Sequence, residues 1–144
     1  MQDFRRLRVW EKAHAVSLDI QRACARFPRR EGAILANQLR RAAESVPANI
    51  VEGAAARSDR EFRRFLNMAM SSAHETDYHL LRAHDTALLG ELSYTQLTTR
   101  LLEVRRMLGG LIKRVTISLD EHEGSATPPE PERRRPRNRR DLDA

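Results

Sequence analysis

The stretch Gln38-Leu39-Arg40-Arg41-Ala42-Ala43-Glu44-Ser45-Val46-Pro47-Ala48-Asn49-Ile50-Val51-Glu52-Gly53 decides the fold. Leu35 just upstream, then Leu39, Ala42, Val46 and Ile50, recur at three- and four-residue steps and make one apolar stripe of an α-helix. Pro47 lies inside that helix. It has no backbone donor and crowds the carbonyl four residues back, so the sequence predicts a lost bond at Ala43 and a bend. Ser45 and Asn49 are short polar side chains within reach of the freed backbone groups. Gln38, Ser45, Asn49 and Glu52 together read as a structural polar network that fixes helix or subunit register.

Working outward, three more helices can be drawn. The first covers residues 7–26, with Val9, Trp10, Ala13, Ser17, Ile20 and Cys24 facing inward, and Phe27-Pro28 closes it because a residue before proline avoids the α region. The proline-bearing helix covers residues 33–55, and Gly53 is its cap or a point of close contact. Ser58-Asp59-Arg60-Glu61 is a capping box that opens a third helix. Its stripe is Phe62, Phe65, Leu66, Ala69, Ala73, Leu80, Ala83 and Ala87, and Gly90 stops it. A second box, Ser93-Tyr94-Thr95-Gln96, opens a fourth helix, where Leu97, Leu101, Val104, Leu108, Leu111, Val115 and Leu119 alternate four- and three-residue steps.

Nowhere do strand-forming residues alternate with polar ones, so the fold class is all-α. Short connections make consecutive helices antiparallel neighbours in an up-down-up-down four-helix bundle over residues 1–119. Residues 120–144 hold Pro128-Pro129-Glu130-Pro131 and the run Arg133-Arg134-Arg135-Pro136-Arg137-Asn138-Arg139-Arg140; this composition predicts a disordered tail. Ile34, Val51, Met68, Met70, Met107 and Ile112 widen the apolar arcs. That width fits protomers packed side by side, and equally a thick monomer core.

Charge is uneven. Residues 1–119 carry 20 Lys and Arg against 13 acids, a net of +7, and only Lys12 and Lys113 among those cations are lysines. Residues 120–144 carry six arginines and seven acids, a net of −1. A basic, arginine-rich bundle suits phosphate, through the planar fork of donors on each guanidinium. Arg40, Arg41, Arg57, Arg63, Arg64, Lys113 and Arg114 are the candidate phosphate contacts, in dibasic steps on helices. The plainer reading is solvated charge, with Arg40 paired to Glu44 and Arg60 to Glu61. No motif for sequence-specific readout occurs, so the predicted partner is RNA or DNA bound without sequence specificity.

Other chemistry finds little footing. The lone Cys24 excludes a disulfide framework and a cysteine zinc site, and reads as a small inner-face residue. Glu11-Lys12-Ala13-His14 is half of a di-iron pattern that needs a second Glu-x-x-His, which the chain lacks. His74, Glu75, Asp77, His79, His84 and Asp85 crowd the third helix. Glu75 with His79, and Asp77 with His84, share faces, but no nucleophile accompanies them. Gly109-Gly110 reads as a close helix approach, since no phosphate loop surrounds it. The expectation is a non-enzymatic protein without metal or cofactor. No signal-peptide pattern or membrane-length apolar run is present, which predicts a cytoplasmic location.

The chain also resembles the four-helix bundle family encoded in intervening sequences of 23S ribosomal RNA genes, itself similar to the accessory variability determinant of diversity-generating retroelements. The resemblance spans residues 4–117. It rests on Phe4 with Leu7-Arg8-Val9-Trp10-Glu11-Lys12-Ala13-His14, Phe27-Pro28, Gln38-Leu39-Arg40-Arg41-Ala42-Ala43, the Ser45 to Gly53 segment, Phe65-Leu66-Asn67-Met68-Ala69 and Met107-Leu108-Gly109-Gly110-Leu111-Ile112. It implies a homopentameric barrel with a basic surface, near +35 in total, and a role as non-catalytic partner of a reverse transcriptase and its RNA. The chain departs from the family at Ser71-Ser72-Ala73-His74-Glu75-Thr76, at Leu89-Gly90-Glu91-Leu92-Ser93-Tyr94 and in its arginine-rich tail. A protein-interaction scaffold with acidic partners is the alternative.

Overall fold

The computed structural model describes residues 1–126. A single 3-10 turn, Phe4–Arg6, leads into four helices: α1 (Arg8–Cys24), α2 (Arg29–Ala54), α3 (Asp59–Asp85) and α4 (Glu91–Gly124). No strand occurs among the described residues. α2 packs against α1 and α3, and α4 against α3 and α1, while the backbones of the diagonal pairs α1/α3 and α2/α4 stay farther apart across the core. The α2–α3 seam is the most extensive and α1–α4 the least. Cross-seam pairs step in opposite directions along neighbouring helices, as Gln38 with Arg82 and Ser45 with Ser72 do, so the neighbours are antiparallel.

All four helices feed one aliphatic core. Ile20, Leu39, Ile50, Leu66, Leu80, Leu101 and Leu108 are fully buried, and each contributes about 1.5–3 kcal/mol of burial. Alanines at 13, 42, 43, 69, 73 and 83 are buried with them. Of the predicted inward set of α1, Trp10 is only half-buried, and Val16, which the stripe left out, is in the core.

Several helix ends differ from the sequence prediction. α2 begins four residues earlier, at Arg29, and runs through Pro47 to Ala54. Asn49 does not serve the Ala43 carbonyl freed by Pro47: its Nδ2 donates to the Ser45 carbonyl at 2.8 Å and to Ser45 Oγ at 3.0 Å. α3 ends at Asp85 rather than at Gly90. The Ala87 N–H donates to the His84 carbonyl and the Leu88 N–H to the Ala83 carbonyl, with Ala87 at φ 60°. This is a Schellman termination with alanine where glycine is usual, and it places Ala87 in an exposed turn instead of on the inner stripe.

Gly90 instead precedes α4 as its N-cap, so Ser93 lies inside the first turn and the second capping box does not form. The first box forms by half: Ser58 Oγ accepts from the Glu61 N–H at 3.2 Å, while the Glu61 carboxylate turns to Arg64. α4 continues to Gly124, five residues past the boundary read at 119, and residues 127–144 of the predicted tail lie outside the described residues. Gly109 and Gly110 make no close helix approach. A Cβ at Gly110 would meet nothing within 4 Å, and one at Gly109 only the Met70 methyl at 3.9 Å. The close approaches are at Gly53, against Phe62 and Phe65 at 3.0 Å, and at Gly32, against Phe27 Cβ at 2.8 Å.

Candidate nucleic-acid interface

The turn from α1 to α2 is built by Phe27 and Gly32. Phe27 is buried under the two helices, and only a glycine at position 32 leaves room for its Cβ. Pro28 then starts α2 without a side-chain cap, so no capping side chain meets the first N–H groups of the helix, beside Arg29 and Arg30. This geometry gathers arginines. A cleft of about 350 Å³ opens between α1 and α2, floored by Cys24, Phe27, Gly32 and Ala36 and edged by Arg29, Asn37 and Arg40. On the other side of α1 a second cleft, of about 310 Å³, is edged by Arg22, Arg26, Ser93, Gln96 and Arg100.

Asp19 lies in this second cleft and accepts from Arg22 at 2.9 Å and from Arg100. Arg26, Arg29, Arg30, Arg40 and Arg41 make no ion pair among the described residues. The expected Arg40–Glu44 pair does not form. Burial pushes the Cys24 thiol up to about 11, partly opposed by the positive charge of Arg40, so the cysteine is an inert floor to the cleft.

The structure does not bring the seven predicted phosphate contacts together. Arg40 edges the α1–α2 cleft and Arg41 is exposed on the next position of α2. Arg57 lies in the turn between α2 and α3, about 25 Å away along the helix. Arg63 is half-buried and donates to Thr116 Oγ1 at 3.4 Å. Arg64 grips Glu61 with three contacts, the shortest 2.6 Å, and lies 4.6 Å over the Phe65 ring. Its hydrogen bonds hold the Glu61 carboxyl below the usual carboxylate range. Lys113 is exposed on α4, and Arg114 edges an α1–α4 groove with Leu7, Arg8 and Met107. Arg26, Arg29 and Arg30 were not among the predicted contacts. The signal was present in the dibasic step that follows Phe27-Pro28.

The predicted polar network divides in two. Ser45 Oγ meets Ser72 Oγ at 2.7 Å and receives Asn49. Gln38 belongs to a separate chain, accepting from Arg82 at 2.9 Å; Arg82 also donates to His79 Nδ1 at 3.2 Å, and His79 Nε2 faces Glu75 at 3.3 Å. Glu52 is exposed and joins neither group. Asp77 and His84 both face α4 but take separate partners: Asp77 accepts from Arg105, and His84 turns to Asp85 and Glu91. Among the described residues no three or more His, Cys, Asp or Glu side chains group as metal ligands, and no helix is long and apolar enough to cross a membrane.

A ring of four antiparallel helices around an aliphatic core defines an all-α bundle protein. Residues 5–110 match the 23S rRNA-intervening sequence protein family, and the chain belongs to that family. A crystal structure from Bacteroides thetaiotaomicron VPI-5482, at 1.70 Å resolution, is of a protein with unknown function from the S23 ribosomal protein family. It is similar to this chain with a TM-score of 0.68 at 27% identity, covering 73% of this chain and 98% of that one. None of the curated proteins matches the chain.

Proposed function

We propose that this protein is a non-enzymatic bundle that binds RNA or DNA through backbone phosphates. The observation that carries the reading is the set Arg26, Arg29, Arg30, Arg40 and Arg41, which runs from the α1–α2 end of the bundle to the middle of α2 with no carboxylate partner among the described residues. Repulsion among unneutralised guanidiniums favours a polyanion, and a phosphate chain releases its counterions on binding. Ile34 (77% exposed) and Leu92 (72%) support assembly of several copies, which would repeat this end by symmetry. The resemblance to the retroelement accessory determinant extends the proposal to a five-membered ring and to a place beside a reverse transcriptase.

The test is a gel-shift titration of the full-length protein with a structured RNA over a range of salt. Binding should weaken linearly in log–log terms as salt rises. Arg26→Glu, Arg29→Glu and Arg30→Glu together should lower that slope by about 3 while helicity is kept, since all three side chains are exposed. Retention that ignores salt, or a triple variant that binds as the parent does, would overturn the assignment.

A further inference from the structure

A separate feature of the opposite end concerns rings rather than charges. The segment Phe4-Arg5-Arg6-Leu7-Arg8-Val9-Trp10 interleaves aromatic and basic residues, and the 3-10 turn folds it back on α1. The turn packs against both α1 and α2, tied by the Gln2 N–H to the Ala54 carbonyl at 2.8 Å. This sets the Phe4 ring against Trp10 in an edge contact, with centroids 4.9 Å apart and planes at 70°. Trp10 and His14 are one helical turn apart on α1, and their rings lie nearly parallel, 9° off, with centroids at 5.1 Å. Arg5 covers the Phe4 ring at 4.6 Å. The result is a ladder Arg5–Phe4–Trp10–His14 on the protein surface.

The ladder ends at an open rung. His14 is exposed, and among the described residues no ring other than Trp10 lies against it. A flat π-system on a half-buried support, with cations around it, is the construction that holds nucleobases in single-strand binders, where each stacked base adds sequence-tolerant affinity. The surrounding charges fit. Asp3 engages Arg5 at 3.8 Å, whereas Arg6 and Arg8 make no ion pair among the described residues. About 15 Å of α1 separates His14 from the arginine-edged cleft at Cys24, so both places lie along one helix.

We infer that the Phe4–Trp10–His14 ladder is a stacking platform for an unpaired base of a single-stranded nucleic acid, seated on the outer face of His14. This rests on the nucleic-acid reading above and adds the class of partner, a strand with unpaired bases. A duplex keeps its bases stacked on one another and has none to offer.

Trp10 is the only tryptophan in the chain, so its fluorescence reports on the platform. The full-length protein is titrated at low salt with oligo(U), with an abasic oligomer of equal length and with a duplex, while Trp10 emission and gel mobility are followed together. Oligo(U) should quench the emission; the abasic strand and the duplex should bind with emission unchanged. His14→Ala should weaken oligo(U) about tenfold, a change on the scale of one lost base stack, with duplex affinity intact, and His14→Tyr should restore it. Equal quenching by the abasic strand, or oligo(U) binding that is indifferent to His14→Ala, would overturn the platform and leave the phosphate reading standing. Failure of all three ligands to bind would overturn both.

Discussion

Ser45 Oγ and Ser72 Oγ lie 2.7 Å apart across the α2–α3 seam, each half-buried. Asn49 donates to Ser45 from one turn further along α2, and Thr76 Oγ1 donates to the Ser72 carbonyl at 2.7 Å from α3. The pair is a polar lock inside the most extensive helix contact of the bundle. Removing the Ser45 hydroxyl strands that of Ser72, removing the Ser72 hydroxyl leaves Ser45 with Asn49 alone, and removing both leaves a small apolar contact. Ser45→Ala or Ser72→Ala alone should cost about 1–2 kcal/mol, and the double variant should cost less than the sum of the two. Urea unfolding of the four proteins in this double-mutant cycle gives the coupling; strict additivity would show that the hydroxyls do not act as a pair.

Ala87 holds φ 60° in the Schellman turn that ends α3. The left-handed region costs an L-residue with a Cβ roughly 1–2 kcal/mol, and glycine enters it freely. Ala87→Gly should therefore stabilise the protein by up to about 1 kcal/mol, since glycine also adds freedom to the unfolded chain. A rise of about 4 °C in the thermal midpoint is expected for a domain of this size. A fall would show that the methyl makes compensating contacts.

His84 is held between two carboxylates at the α3–α4 turn, with Nε2 against Glu91 and Nδ1 3.1 Å from Asp85, and its ring is stacked on Tyr94 at 4.4 Å. The hydrogen bond to Glu91, and then that to Asp85, raise its pKa above the usual 6.5. The sign follows from linkage. The stabilisation is fully present below pH 6.5 and is lost as pH rises through the raised folded value. His84→Gln should remove this dependence, so the stability gap between parent and variant should narrow from pH 5.5 to pH 9. A gap that widens with pH, measured by urea midpoints, would contradict the protonated clasp.

The helical periodicity was enough to read four helices and most of their buried faces, because apolar spacing reports burial directly. Leu39, Val46 and Ile50 of α2, and Leu97, Leu101, Val104 and Leu108 of α4, are all buried as their spacing requires. Helix ends were less legible. Gly90 and Ser93 carry strong local signals, but the tertiary turn at Ala87 stopped α3 first and let α4 begin at Glu91. The glycine pair at 109–110 shows the same limit, since a small residue signals close approach only if a neighbour arrives.

The basic surface was legible as net charge and not as a place. Arg64 and Arg63 look equivalent to Arg29 and Arg30 in sequence, yet the fold gives Arg64 a carboxylate and Arg63 a hydroxyl. Arg29 edges the same cleft as Arg40 because Phe27 and Gly32 pack against each other at the turn. The aromatic ladder depends on the 3-10 turn bringing Phe4 back to Trp10, a step that no periodicity announces.

The seam between α1 and α4 is the thinnest in the ring, and the ion pairs that bridge it are Lys12–Glu103, at 3.5 Å, and Arg100–Asp19. Surface pairs of this kind weaken in salt. Concentrated electrolyte would thus prise the first and last helices apart before the rest, like a cylinder slit down one side. Backbone amides of α1 would then exchange with deuterium ahead of those shared by the two central helices, making salt a handle on breathing as well as on binding.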